Sequence, residues 1–106
     1  MPRKTFTHPN TSSNVPLSPA ARAGDLVFIS GQVPTDAHGN IGGNTITEQT
    51  HQVFKNCQAA LALAGATFDG VVKVNVYLTD VNYFAAMNEV YKQYFSDSSP
   101  TRTTVG

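Results

Sequence analysis

Four positions in this sequence combine a recognising side chain with a setting that could use it. Arg102 stands in Pro100-Thr101-Arg102-Thr103-Thr104-Val105, a β-prone run behind a turn, where Arg102 and Thr104 share one strand face. A guanidinium on a strand is costly unless something pairs with it, and its planar fork fits a carboxylate. The competing reading is a surface arginine on an edge strand. Ser30 and Gly31 close the run Leu26-Val27-Phe28-Ile29-Ser30-Gly31-Gln32-Val33-Pro34. Gly31 has no Cβ, so a ligand or another backbone can come close beside the Ser30 hydroxyl. A strand that simply ends in a bulge explains the same residues. Asn88 is the polar member of a helical stripe formed by Phe84, Met87, Asn88, Tyr91 and Phe95. If buried it must find partners, and a structural hydrogen bond and a bound molecule serve equally well.

Most other familiar chemistry is absent. There is no Gly-x-Gly-x-x-Gly, no P-loop and no Cys-x-x-Cys, and His8, His38 and His51 lack metal-ligand spacing. No metal or cofactor is therefore expected. Glu48 and Asp80 are better explained as helix caps, and Glu89, next to Asn88, points off the stripe into solvent.

The composition limits the partners. Across 106 residues, seven basic and seven acidic side chains cancel, so no basic field draws nucleic acid or a membrane surface. With 41% hydrophobic and 13% charged residues, one soluble globular domain of modest core is expected. The single cysteine, Cys57, excludes an internal disulfide and suits a reducing compartment. Arg3 and Lys4 are not followed by an apolar signal core, and no apolar run nears the roughly 18 residues of a membrane span. The expected location is the cytoplasm.

The elements that must position these side chains follow from periodicity and punctuation. A short strand is expected over residues 4–8, a loop over residues 10–14 (NTSSN), and a hairpin of residues 20–23 and 26–32 turning at Gly24-Asp25. Residues 34–44 read as a long, turn-rich and flexible excursion. Thr45-Ile46-Thr47-Glu48 fits a capping box, with Glu48 reaching back to the Thr45 N–H. The helix behind it carries Thr50, Val53, Phe54, Cys57, Leu61 and Ala64 on one stripe and ends at Gly65. Cys57 is expected in the core and His51, off the stripe, in solvent. Residues 71–79 (VVKVNVYLT) alternate, with Val72, Val74, Val76 and Leu78 on the apolar face. Asp80 caps a second helix over residues 81–95, and the chain closes on the Arg102 strand. The order β-β-β-α-β-α-β gives an α+β fold, a mixed sheet with both helices on one face. The opposite face carries Tyr77 and either Leu26 and Phe28 or Val27 and Ile29, and needs cover from another subunit.

These segments resemble a known family. AGDLVFISGQVPTDAHGNI, TEQTHQVFKNCQAALALAG, VVKVNVYLTDVNYFAAMNEVYKQYF and SSPTRTTV are similar to the Rid family of imine and enamine deaminases, also called YjgF-like or L-PSP endoribonuclease. The resemblance covers residues 15 to 105. It implies a chorismate-mutase-like fold assembled as a homotrimer, with a central barrel and active sites between subunits. It implies hydrolysis of 2-imino or enamine acids to 2-oxo acids and ammonia, without metal or cofactor. By this resemblance Arg102 is the catalytic arginine that grips the substrate carboxylate, Ser30 and Gly31 line the pocket at the strand end, and Asn88 is the pocket asparagine.

The sequence departs from the family pattern at Leu17, where a pocket tyrosine is usual, and at Thr104, where many members have cysteine. Leu17 favours an apolar substrate side chain. The family pattern continues through a further strand whose glutamate orients the attacking water, and a single domain over residues 1–106 lacking that strand is expected. The alternative function is a non-catalytic trimer that binds 2-oxo acids. A ribonuclease fits poorly with the neutral charge.

Overall fold

The observed order of elements is β-β-β-α-β-α-β, as the punctuation of the sequence implies. The computed structural model describes residues 2–9, 15–96 and 98–106, so the loop expected over residues 10–14 lies outside the described residues. β1 (Lys4–Phe6), β2 (Ala20–Ala23) and β3 (Leu26–Ile29) form an antiparallel meander. β2 pairs with β3 from Ala20↔Ile29 to Ala23↔Leu26. Their tight turn holds Gly24 at φ 59°, a left-handed angle that glycine adopts without a steric cost.

β4 (Lys73–Tyr77) and β5 (Thr101–Val105) form a separate parallel pair, in register from Lys73↔Thr101 to Tyr77↔Val105. One mixed sheet is the expectation; two sheets are found. Among the described residues β3 bonds only to β2, so packing through the helices, rather than a continuous ladder, holds the two sheets in one body. The expected alternation holds at Val74, Val76 and Leu78 and fails only at Val72. A 3-10 turn at Phe68–Gly70 precedes the strand, Val71 packs on the core, and Val72 is left 75% exposed.

α1 (Ile46–Leu63) begins at Thr45, whose hydroxyl accepts from the Glu48 N–H at 3.1 Å. Glu48 answers differently from the expected box, since its carboxylate accepts from the same hydroxyl at 3.1 Å. At the other end Gly65 takes φ 74°, and the N–H groups of Gly65 and Ala66 reach back to the carbonyls of Ala62 and Leu61. That is the Schellman arrangement. Arg22 of β2 adds a hydrogen bond from Nη2 to the Ala64 carbonyl at 2.7 Å, a cation where the helix dipole favours one. The meander is thereby fastened to the end of α1.

Phe54 carries the α1 stripe into the core. It stacks on Tyr94 at 4.3 Å and meets Phe68, Tyr91 and Phe95 edge-on at 5.8, 5.8 and 5.9 Å, geometries that aromatic quadrupoles favour. Met87, Val90, Tyr91 and Phe95 bury the facing side of α2 (Phe84–Tyr94), and Val74, Val76 and Leu78 close the cluster from below. Asp80 caps a 3-10 turn at Val81–Tyr83, through the Asn82 N–H at 2.9 Å, and the α-helix proper starts only at Phe84. His51 is not solvated as expected. Its Nδ1 lies 2.9 Å from the Tyr94 hydroxyl, because it sits one turn before Phe54 on the edge of α1 that faces α2.

The excursion over residues 34–44 is tied down, in place of the flexibility expected. Thr35 bridges to Ile41, and the Asp36 carboxylate accepts from the N–H groups of His38 and Asn40, bonds that hold Asp36 below the usual carboxylate range. Asn56 of α1 donates to the carbonyls of Val33 and Thr35 at 2.9 and 2.8 Å. Gly43, at φ 134°, lies so close to Glu48 that a Cβ would collide with that side chain. Away from the helices, Leu26, Phe28, Tyr77 and Val105 are exposed, which is the uncovered apolar face anticipated from the alternation. Among the described residues no helix is long and apolar enough to cross a membrane.

Cys57 is half-buried on the α1 stripe, and burial pushes its thiol up to about 11. A thiol held protonated at neutral pH is a poor nucleophile. Cys57→Ala should lower stability by about 1 kcal/mol and leave ligand binding unchanged. Thiol-reagent labelling of the folded wild type at neutral pH should be slow, and rapid labelling would contradict this.

Candidate functional site

β5 alternates strictly: Thr101, Thr103 and Val105 face outward, while Arg102 and Thr104 are half-buried. The inward pair lies toward α2, where Asn88 and Tyr91 follow each other by one turn. Arg102 Nη1 donates to Asn88 Oδ1 at 2.6 Å, so the asparagine of the stripe has found its partner. The guanidinium carbon sits 4.6 Å from the Tyr91 ring centroid and 5.3 Å from that of Phe84, within the range of cation–π attraction. Burial pushes the Tyr91 phenol up, and the nearby Arg102 charge opposes that shift.

A shallow, open hollow of about 350 Å³ lies beside Arg102, lined by Asn88, Tyr91, Lys92, Phe95, Ser99 and Pro100. Among the described residues the one ion pair is Lys92 with Glu89, at 3.0 Å on the surface. Among the described residues Arg102 therefore has no carboxylate partner. A guanidinium carries five N–H donors; Asn88 takes one, and enough remain for both oxygens of a ligand carboxylate. A smaller hollow of about 160 Å³ lies on the far side of Phe95 and Pro100. It is lined by Asp69 and no cation, so it offers an acid nothing to bind. Among the described residues no group of three or more His, Cys, Asp or Glu side chains is placed to hold a metal ion.

The remaining candidates, Leu17, Ser30 and Gly31, are not among the residues that line the hollow beside Arg102. The Ser30 hydroxyl donates to the Ser18 carbonyl at 2.6 Å, and the Gln32 amide caps the Ser30 carbonyl at 3.1 Å. Gly31 is exposed, with no atom of the described residues within 4 Å of where a Cβ would stand, so none of them uses the close approach that it permits. Leu17, one residue before Ser18, is 59% exposed. Six candidates thus fall into two groups: Leu17, Ser30 and Gly31 at the meander, and Asn88, Arg102 and Thr104 at the seam of α2 and β5. No hydrogen bond joins the groups among the described residues. The Thr104 hydroxyl is buried without a hydrogen-bond partner, as is that of Tyr91. Tyr91 and Phe84 are the residues that sequence reasoning placed in the stripe but not in the site. Their spacing from Asn88, three and four positions away, is the signal that puts them beside its partner.

Comparison with known proteins agrees with this architecture. Residues 8–106 match the sequence model of the family described as Endoribonuclease L-PSP. A RutC family protein of Pyrococcus abyssi is 48% identical over 91 residues, covering 85% of this chain and 72% of that one. The crystal structure of RidA from the Antarctic bacterium Psychrobacter sp. PAMC 21119 superposes with a TM-score of 0.87 at 34% identity, over 96% of this chain and 84% of that one. E. coli TdcF, solved with bound serine, gives 0.86 at 32% identity, again over 96% and 84%. The α+β fold with its two helices matches these Rid structures, and the chain belongs to the Rid family, also known as the YjgF, RutC or L-PSP family.

Proposed function

We propose that this protein hydrolyses small 2-imino or enamine acids to 2-oxo acids and ammonia, with Arg102 holding the substrate carboxylate. The observation that carries the reading is the unneutralised guanidinium of Arg102, held by Asn88 at 2.6 Å on the wall of a cavity. A carboxylate entering that cavity gains two charge-assisted hydrogen bonds and satisfies a half-buried cation. The serine in the E. coli TdcF structure supports a ligand of this class, a small acid with nitrogen on the adjacent carbon.

The chemistry asks little of the protein. Water adds to the electrophilic imine carbon, the C–N bond of the resulting carbinolamine breaks, and ammonia leaves with the proton that the new hydroxyl gives up. Arg102 fixes the acid so that the adjacent C=N carbon stands at one place in the cavity, an effect of orientation. Leu17, Ser30 and Gly31 complete the pocket from a neighbouring subunit of a homotrimer. The open apolar face and the lack of any hydrogen bond between the two residue groups among the described residues support that assembly. The single, mostly protonated cysteine fits a cytoplasmic setting.

A second reading, a trimer that binds 2-oxo acids without turnover, is favoured by one observation. Among the described residues no carboxylate or imidazole lines the hollow beside Arg102, so none of them stands there as a general base for water. Assaying ammonia release from an imino acid generated in solution separates the two, because the binding protein leaves the uncatalysed rate unchanged. A nucleic-acid role has no support from the charge balance.

Pyruvate or 2-oxobutyrate titrated calorimetrically should bind wild type. Arg102→Ala should lose about 2–5 kcal/mol of binding free energy, as for truncating one side of a buried charge pair, and Arg102→Lys should lose substantially because the fork is gone. Equal binding by all three would make Arg102 a surface arginine. Light scattering behind size exclusion should report three subunits. A monomer at micromolar concentration would remove the shared site.

A further inference from the structure

We propose that Tyr91 is a positioning residue for Arg102, its ring acting as a rigid bed that sets the plane of the guanidinium before a ligand arrives. The inference rests on the reading of Arg102 as the carboxylate grip and extends it to a residue that touches no reacting atom. Arginine has a long, rotamer-rich side chain, and ordering it on binding weakens affinity unless the ordering is already done. Two contacts do that here. Asn88 holds Nη1 at 2.6 Å, and the Tyr91 ring centroid lies 4.6 Å from the guanidinium carbon.

The two contacts are complementary. Asn88 is neutral, so it tethers the cation without cancelling the charge that the ligand needs. The electron-rich ring face attracts the cation but takes up none of its N–H donors in a conventional hydrogen bond. The bed is itself fixed: Tyr91 is 7% exposed, edge-on to Phe54 at 5.8 Å and tilted against Phe95 at 5.0 Å. Phe84, at 5.3 Å from the same guanidinium and 43% exposed, is the softer neighbour. The Tyr91 hydroxyl is buried without a hydrogen-bond partner, so the ring and not the hydroxyl is what Arg102 uses. That separates positioning from hydrogen bonding by one atom.

Calorimetric titration of pyruvate into wild type, Tyr91→Phe and Tyr91→Leu reads the proposal directly. Tyr91→Phe should bind within about twofold of wild type, and Tyr91→Leu, apolar but without a ring face, should bind roughly 3–30-fold more weakly, the span of a partly desolvated cation–π contact. Circular dichroism and light scattering must show both variants folded and assembled like wild type. If Tyr91→Leu does not fold, the Arg102 Nε–H resonance of ligand-free wild type and Tyr91→Phe decides. It should be shifted by the ring current and protected from exchange in both. A random-coil, fast-exchanging Arg102 resonance, or a folded Tyr91→Leu that binds like wild type, overturns the proposal. Wild type that fails to bind either pyruvate or 2-oxobutyrate overturns the carboxylate reading instead.

Discussion

An arginine turned toward the helix layer, met by no carboxylate among the described residues, is the constraint around which this protein is arranged. A half-buried cation is tolerated only where neighbouring groups replace the water that it has lost. Here the replacement is partial by construction: an amide oxygen at 2.6 Å and the faces of two aromatic rings. All three stabilise the charge without neutralising it. The charge is left with donors to spare and a cavity to spend them in, which is the electrostatic condition for binding a small acid.

That arrangement depends on the helix pair. α2 supplies Asn88, Tyr91 and Phe84 to Arg102, and it is held in place by the aromatic cluster around Phe54 of α1. The same helix pair joins the meander to the β4–β5 ladder, since among the described residues the two sheets are not paired with each other. α1 is in turn stapled at both ends, by Thr45 and by the Schellman turn with Arg22. A loss of packing at Phe54 would therefore be felt at the guanidinium, because Phe54 packs edge-on against Tyr91 and Phe95 of the wall beside Arg102.

The elements were legible in the sequence because each is marked locally. Thr45 and Glu48 cap, Gly65 stops, Gly24-Asp25 turns, and the 3.6-residue stripes of both helices survive almost unchanged. What was not legible depends on distant partners. His51 reads as solvated until Tyr94 reaches it from the other helix, and residues 34–44 read as loose until Asn56 takes two of their carbonyls. The division of the β layer into two sheets depends on pairing, which no local signal carries. At the site, the face shared by Arg102 and Thr104 followed from alternation, and Asn88's need of a partner from the rule that buried amides pair, but which partner did not. The roles of Tyr91 and Phe84 did not, because an aromatic residue on a helical stripe looks the same whether it packs on a core or on a cation. The family resemblance linked Ser30 and Gly31 to Arg102, a connection that a single folded chain does not make.

The central claim is that the free donors of Arg102 receive a ligand carboxylate. A crystal structure grown with 2-oxobutyrate tests it most directly. The account predicts both carboxylate oxygens about 2.7–2.9 Å from guanidinium nitrogens of Arg102, with the Asn88 contact retained. Ligand density elsewhere, or Arg102 turned away to solvent in the complex, would contradict it.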